Sequence, residues 1–206
     1  MINLWSGTPG SGKSYHMADE LYHRLRFKKN YICNFPINLD IVNNGGKKVI
    51  GKFTYVKTFD MSPRYFIDYA KHNHEPNKEH QTTIVIDECG RLFNPQFHRS
   101  QAILDWIEFF TLHRHIGYDV ILIAQQDKFI NKQIRGLIEN EIVHRKITKY
   151  KLWGKILGLL FHGNVFMTIE KWYSVPRSPK IDSNIYVLRK KIASIYDTHM
   201  DFYDKE

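Results

Sequence analysis

Gly7-Thr8-Pro9-Gly10-Ser11-Gly12-Lys13-Ser14 satisfies the pattern GxxxxGK[ST] without a mismatch. Ahead of it, Ile2 to Ser6 reads as a short strand. Behind it, Met17, Leu21, Tyr22 and Leu25 recur at helical spacing across Tyr15 to Phe27. Strand, glycine-rich turn and helix together form the context in which this pattern binds phosphate. Glycines let the backbone curl until successive N–H groups point at one anion, and the helix presents its N-terminus to the same charge. Lys13 is placed to neutralise the β- and γ-phosphates, and the Ser14 hydroxyl to ligate Mg2+. The residues assigned to the nucleotide are therefore Gly7, Thr8, Pro9, Gly10, Ser11, Gly12, Lys13, Ser14 and Tyr15. Average residue usage produces the bare pattern by accident in roughly one chain of this length in a hundred, so the flanking strand and helix decide the reading.

A second apolar run, Thr83-Ile84-Val85-Ile86, ends in Asp87-Glu88. Two carboxylates at the end of a buried strand are costly unless they face a cation or water. Beside a phosphate loop, Asp87 is expected to hold the Mg2+ shell and Glu88 to polarise the attacking water. A third run, Ile121-Leu122-Ile123-Ala124, ends in Gln125-Gln126. Gln125, the first polar residue past that strand, is a candidate for orienting water between the acids and the γ-phosphate; a plain strand-capping amide is the alternative. Arg99, Arg114 and Arg135 lie in segments read as close to the C-terminal edge of the sheet. One of the three, with Arg114 and Arg135 the named candidates, could act as a finger supplied across a subunit boundary; a surface ion pair is the alternative for each. Arg114 also sits where it favours a helix dipole. No NKxD occurs to read guanine, so ATP is the expected nucleotide.

Around these motifs, strands are expected at 31–34, 53–56, 82–87 and 120–124, and helices at 63–70 (capped by Ser62), 101–116 and roughly 129–138. Residues 43–48 read as a hairpin or exposed loop and 72–81 as a mobile loop. Strands alternating with helices predict an α/β fold with a mostly parallel sheet flanked by helices. Beyond residue 141 the pattern turns β-like, with a last helix at 186–196. This divides the chain into a core, 1–150, and a small β-containing extension, 151–206, packed on the core or facing a membrane or a neighbouring subunit. Within it, Trp153 to Phe166 interleaves aromatic and basic residues and could touch a membrane surface or pack as a covered hairpin.

Composition limits the alternatives. The 206 residues are 43% hydrophobic and 25% charged, which excludes fibrous and wholly disordered chains. Cys33 and Cys89 are too few and too far apart for a disulfide framework or zinc ribbon. Eleven histidines include no HExxH, so no zinc site is expected, and no Ser-His-Asp signature appears. No secretory signal and no run of about 20 apolar residues is present. The net charge of +9 fits anionic partners (nucleotide, nucleic acid or lipid headgroups) as well as a merely solvated basic surface.

Taken together, Gly7 to Ser14, Ile84-Val85-Ile86-Asp87-Glu88-Cys89-Gly90, Phe93-Asn94, Trp106, His113-Arg114-His115, Tyr118-Asp119-Val120, Gln125 and Ile134-Arg135 resemble the zonular occludens toxin (Zot) family. That family includes the gene I assembly ATPases of filamentous phages, and the resemblance spans roughly residues 1 to 148. It implies a P-loop motor domain related to the FtsK–HerA group, forming a homo-oligomeric ring. It also implies coupling of ATP hydrolysis, with Mg2+, to phage assembly and extrusion at the inner membrane. The implied partners are phage coat and assembly proteins and single- or double-stranded DNA. The chain ends at Glu206 without the membrane span of such proteins. The expectation is thus a cytoplasmic domain, or a soluble variant, with the toxin activity of the outer tail not carried over. A DNA translocase or packaging ATPase, and a nucleotide-gated scaffold with low turnover, are the rival readings.

Overall fold

Apolar runs that serve two opposite faces at once build the centre of this protein. The computed structural model describes residues 1–97, 100–147, 164–175 and 179–196. Its strands are β1 (Ile2–Ser6), β2 (Asn30–Cys33), β3 (Phe53–Tyr55), β4 (Thr82–Ile86), β5 (Tyr118–Ala124), β6 (Asn140–Lys146), β7 (Val165–Trp172) and β8 (Lys180–Val187). They form one sheet in the order β3-β2-β4-β5-β1-β6-β7-β8. From β3 to β6 every pairing is parallel; β7 and β8 then add antiparallel. The helices are α1 (Lys13–Arg26), α2 (Leu39–Asn43), α3 (Pro63–Asn73), α4 (Gln101–Leu112), α5 (Lys132–Arg135) and α6 (Lys190–Ala193).

Alternate side chains of the central strands enter separate cores. Ile84, Ile86, Val120 and Leu122 meet Phe66 of α3, Trp106, Phe109 and Phe110 of α4, and Ile134 of α5. On the other face, Val85, Ile121 and Ile123 meet Met17, Leu21 and Leu25 of α1, Val42 of α2 and Ile192 of α6. Burial on both faces explains why β4 and β5 read as nearly continuous apolar runs. The expected α/β fold with a mostly parallel sheet is what the chain adopts.

Local chemistry sets several boundaries. Ser62 caps α3 by accepting the Tyr65 N–H at 3.2 Å, with Pro63 opening the helix. Helix α4 stops at Leu112, four residues short of the expected end. Its buried face is Ile103, Trp106, Phe109 and Phe110, whereas Leu104 and Leu112 are 47% exposed. Residues 43–48 form no hairpin, because β2 and β3 run parallel and are joined through α2. The segment read as a mobile loop is tied down instead. His74 donates to Ile116 O at 2.7 Å and accepts from Thr82 Oγ1 at 2.8 Å, while Gln81 bonds Glu75 and Lys78. Of the expected helix at 186–196 only α6 is helical; Tyr186 and Val187 belong to β8, an edge strand with Ile181, Ile185 and Val187 exposed. Trp153 to Gly163 lie outside the described residues, and Phe166 lies on β7. Cys33 and Cys89 are free and buried. Among the described residues no helix is long and apolar enough to cross a membrane.

Candidate active site

Parallel strands end on the same edge of a sheet, and here three motif-bearing ends meet. Ser6 pairs with Ala124, so Gly7 and Gln125 leave the sheet together, joined by Gly7 N–H to Gln125 O at 3.3 Å. Ile86 pairs with Leu122, which sets Asp87 beside the same edge, one strand further on.

The loop needs its glycines for two different reasons. A Cβ on Gly7, at φ +150°, would lie 2.6 Å from Ser11 Oγ and 2.7 Å from His144 O. On Gly12 the left-handed φ of +98° is unfavourable to other residues, and a Cβ would lie 2.6 Å from the Phe166 ring. Helix α1 starts without a side-chain cap or an acid in its first turn, leaving its N–H groups for an anion. Ser11 Oγ is buried and has no hydrogen-bond partner. Lys13 Nζ folds back over the loop, donating to Gly7 O at 2.6 Å and more weakly to Thr8 O at 3.5 Å. Burial lowers its pKa, and the nearby charges of Asp87 and Glu88 oppose that shift.

Asp87 is clamped from several sides. Its N–H donates to Asn34 Oδ1 at 2.7 Å, and its carbonyl accepts from Asn34 Nδ2 at 2.9 Å. Oδ1 accepts the Glu88 N–H at 2.8 Å, and Oδ2 accepts the Tyr196 hydroxyl at 2.9 Å. Burial pushes the carboxyl pKa up, while Tyr196, the Glu88 N–H and the Lys13 charge hold it down. Glu88 is exposed and adopts φ +47°, a left-handed conformation that costs a non-glycine residue about 1–2 kcal/mol. Gln125 and Gln126 are also exposed. With Gly7, Thr8, Arg145 and Lys146 they line a cleft of about 540 Å³.

Not every candidate belongs to this edge. Tyr15 is buried, with its hydroxyl donating to Val187 O at 2.8 Å and accepting from Arg189 N–H at 3.1 Å, so only its backbone N–H is left to serve a phosphate. Arg114 precedes β5 and therefore lies at the opposite end of the strands from the loop, ion-paired with Glu139; its expected place at the C-terminal edge is corrected. Arg135, by contrast, stays near this edge as expected, pairing at 3.6 Å with Asp127, which lines the cleft beside Gly7 and Gln125. Arg99 lies outside the described residues.

Sequence reasoning passed over three contributors: Asn34, Tyr196 and a buried histidine pair under the loop. His16 Nδ1 and His144 Nε2 are 2.8 Å apart, and Trp5 stacks on His16 at 4.2 Å. Ser6 O can only accept, so His144 carries its proton on Nδ1 and takes the Nδ1–H of His16 on Nε2. Burial pulls His16 down to about 3, helped by His144, and His144 down to about 4. The histidine spacing of 128 residues leaves no local signal. Asn34, the first residue after β2, was legible only as a strand end.

A glycine-rich loop between the first strand and first helix, with an acidic strand end two places away in a parallel sheet, defines the P-loop NTPase fold. Solved structures share it. The N-terminal domain of zonular occludens toxin from Neisseria meningitidis superposes with a TM-score of 0.57 at 20% identity, covering 95% of this chain and 98% of that one. B204, the DNA-packaging ATPase from Sulfolobus Turreted Icosahedral Virus, gives 0.54 at 18% identity, covering 87% and 95%. The family model Zonular occludens toxin (Zot) matches residues 1–162, and the chain belongs to that family. The Gene 1 protein of Enterobacteria phage f1 is 28% identical over 96% of this chain. The chain spans 34% to 60% of the length of the curated relatives it matches.

Proposed function

We propose that this chain is a magnesium-dependent ATPase motor whose hydrolysis drives filamentous phage assembly and extrusion at the inner membrane, working as a homo-oligomeric ring. The observation that carries the chemistry is the convergence of the uncapped α1 N-terminus, Lys13, Asp87 and Glu88 on one sheet edge. The assembly role is supported by membership of the Zot family and by likeness to the Gene 1 protein of phage f1.

The residues fit a nucleotide with its metal. Gly7 and Gly12 leave a cradle that any Cβ would crowd, and Ser11 Oγ lacks a partner. Among the described residues no group of three His, Cys, Asp or Glu side chains could hold a metal by itself. That suits Mg2+, which takes one or two protein oxygens and completes its shell with water and phosphate. Ser14 and Asp87 would hold it, and when bound it supplies charge neutralisation at the phosphate oxygens. The loop N–H groups and Lys13 bind and orient the phosphates. The Glu88 carboxylate accepts the proton of the attacking water, and Gln125 orients that water from the intervening strand end.

Steady-state phosphate release by purified protein tests this reading. Hydrolysis should require Mg2+ and vanish in Lys13→Ala; turnover that survives this substitution would sink the proposal. The net charge of +9 favours a second reading, a DNA translocase or packaging ATPase. DNA-stimulated hydrolysis that fades with added salt would support it, and turnover indifferent to DNA at every ionic strength would exclude it. Negligible release with tight nucleotide binding would instead mark a nucleotide-gated scaffold.

A further inference from the structure

Residues 187–196 are joined to the site at two points, each through a tyrosine hydroxyl. Behind the loop, Tyr15 bonds Val187 O and Arg189 N–H. At the acidic strand end, Tyr196 donates to Asp87 Oδ2 at 2.9 Å. The connection between these points is packed rather than draped. Ile192 is 3% and Ile195 1% exposed in the α1 core, Asn38 N–H donates to Ile195 O at 2.9 Å, and the Tyr196 ring lies 4.3 Å from that of Phe35. Phe35 follows Asn34, whose amide holds both backbone polar groups of Asp87. The ring that carries the phenol is therefore packed on the neighbour of Asn34, and both residues hold Asp87.

We propose that Tyr196 is a positioning residue for the metal carboxylate, acting through Asp87 and making the far C-terminal part of this chain a component of its own nucleotide site. The inference rests on the assignment of Asp87 to Mg2+ made above. The physical reason is geometric. A carboxylate rotates about one bond, and in a buried site its orientation is set by whichever donors reach it. The Glu88 N–H fixes Oδ1 and the phenol fixes Oδ2; among the described residues no other hydrogen-bond donor reaches Oδ2, so without the phenol the plane of the group is free to turn. Each carboxylate oxygen has a second lone pair, so the phenol orients Asp87 while leaving acceptor capacity for a metal-bound water. Outer partners that orient a metal ligand in this way commonly alter metal affinity by about 10–100-fold.

The test is an equilibrium one. A fluorescent ATP analogue is bound in EDTA and then with increasing Mg2+, comparing wild type, Tyr196→Phe and Asp87→Asn. Phenylalanine keeps the ring against Phe35 and removes only the hydroxyl. Tyr196→Phe should raise the Mg2+ midpoint by about tenfold while leaving metal-free affinity and the melting temperature unchanged. An unchanged or lowered midpoint overturns the inference, as does a parallel loss of metal-free affinity and thermal stability, which marks a purely structural tether. Asp87→Asn separates the two levels of the argument. A wild-type midpoint in that variant refutes the metal assignment itself, whereas a shift in Asp87→Asn without one in Tyr196→Phe refutes only the role of the phenol.

Discussion

Acidification from about pH 7.5 to about pH 5.5 should destabilise the fold through the buried His16–His144 pair. In the folded chain both rings are neutral, with pKa values held at about 3 and about 4. In the unfolded chain each titrates near ~6.5. The folded values are the depressed ones, so this stabilisation is fully present above ~6.5 and is lost as pH falls toward the folded values, because the unfolded chain takes up protons that the fold refuses. Counting only the part of the interval below the unfolded midpoint, each ring loses about 1.4 kcal/mol and the pair about 3 kcal/mol. For a chain of this size that lowers the melting temperature by roughly 6–11 °C. Burial also lowers His74 and His113, which act in the same direction, so the pair has to be isolated by difference. His16→Phe keeps an aromatic ring on Trp5 and removes one titrating group; its pH-dependent loss should be smaller by at least about 1.4 kcal/mol. Urea unfolding followed by circular dichroism at both pH values measures the difference. The reasoning fails if the variant keeps the wild-type pH dependence, or if NMR shows both folded imidazoles titrating near the unfolded value.

Glu88→Gln should bind ATP normally and turn over about a hundredfold more slowly or worse; normal turnover removes Glu88 from the general-base role. Gly12→Ala introduces a Cβ at φ +98° and 2.6 Å from the Phe166 ring, and should cost about 1–3 kcal/mol. Combining it with Phe166→Ala should recover the steric share and leave the backbone share, so strictly additive losses in denaturant melts would contradict the contact. Phe66 is fully buried among Trp106, Phe109 and Tyr118. Phe66→Ala should therefore cost about 3–5 kcal/mol by the same assay, and a loss below about 1 kcal/mol would mean that this cluster collapses around the cavity.

The parts of this fold that were legible share one property: their signal is local. The phosphate loop declares itself in eight contiguous residues, and β4 and β5 in the apolar runs 84–86 and 120–124, whose two-sided burial leaves no polar interruption. Ser62-Pro63 announces α3 because the cap and the missing N–H act within one turn. What escaped depends on distant pairing. Strand β8 buries little of its own surface, so its alternation carries no hydrophobic contrast and Tyr186–Tyr196 imitates a helix. Helix α4 is apolar on more than one side, so which side is buried is settled only by packing: Trp106 and Phe109 meet Phe66 of α3, and Leu104 and Leu112 are left exposed. Tyr196 reaches Asp87 across 109 residues, a relation that no spacing rule contains.

Strand order also explains why the edge is open. With β5 lying between β1 and β4, the loop and Asp87 are separated by two strand spacings, about 10 Å, and Gln125 occupies the gap. That spacing suits a phosphate chain with its metal, and it leaves Glu88, Gln125 and Gln126 exposed to solvent on the far side. In the proposed hydrolysis, charge developing on the transferred phosphoryl group would be stabilised further by an arginine besides Lys13. Arg114 is held by Glu139 at the other end of the strands, and Arg135 by Asp127. Arg114 lies at the far end from the loop of its own chain, whereas the acid that holds Arg135 lines the cleft beside Gly7 and Gln125. If Arg114 acts as a finger, it does so on the site of a neighbour, after exchanging its acidic partner for the nucleotide. A ring places the opposite edge of one subunit against the open edge of the next only in a head-to-tail contact, and that is the arrangement in which Arg114, at the opposite edge, could reach a neighbouring site.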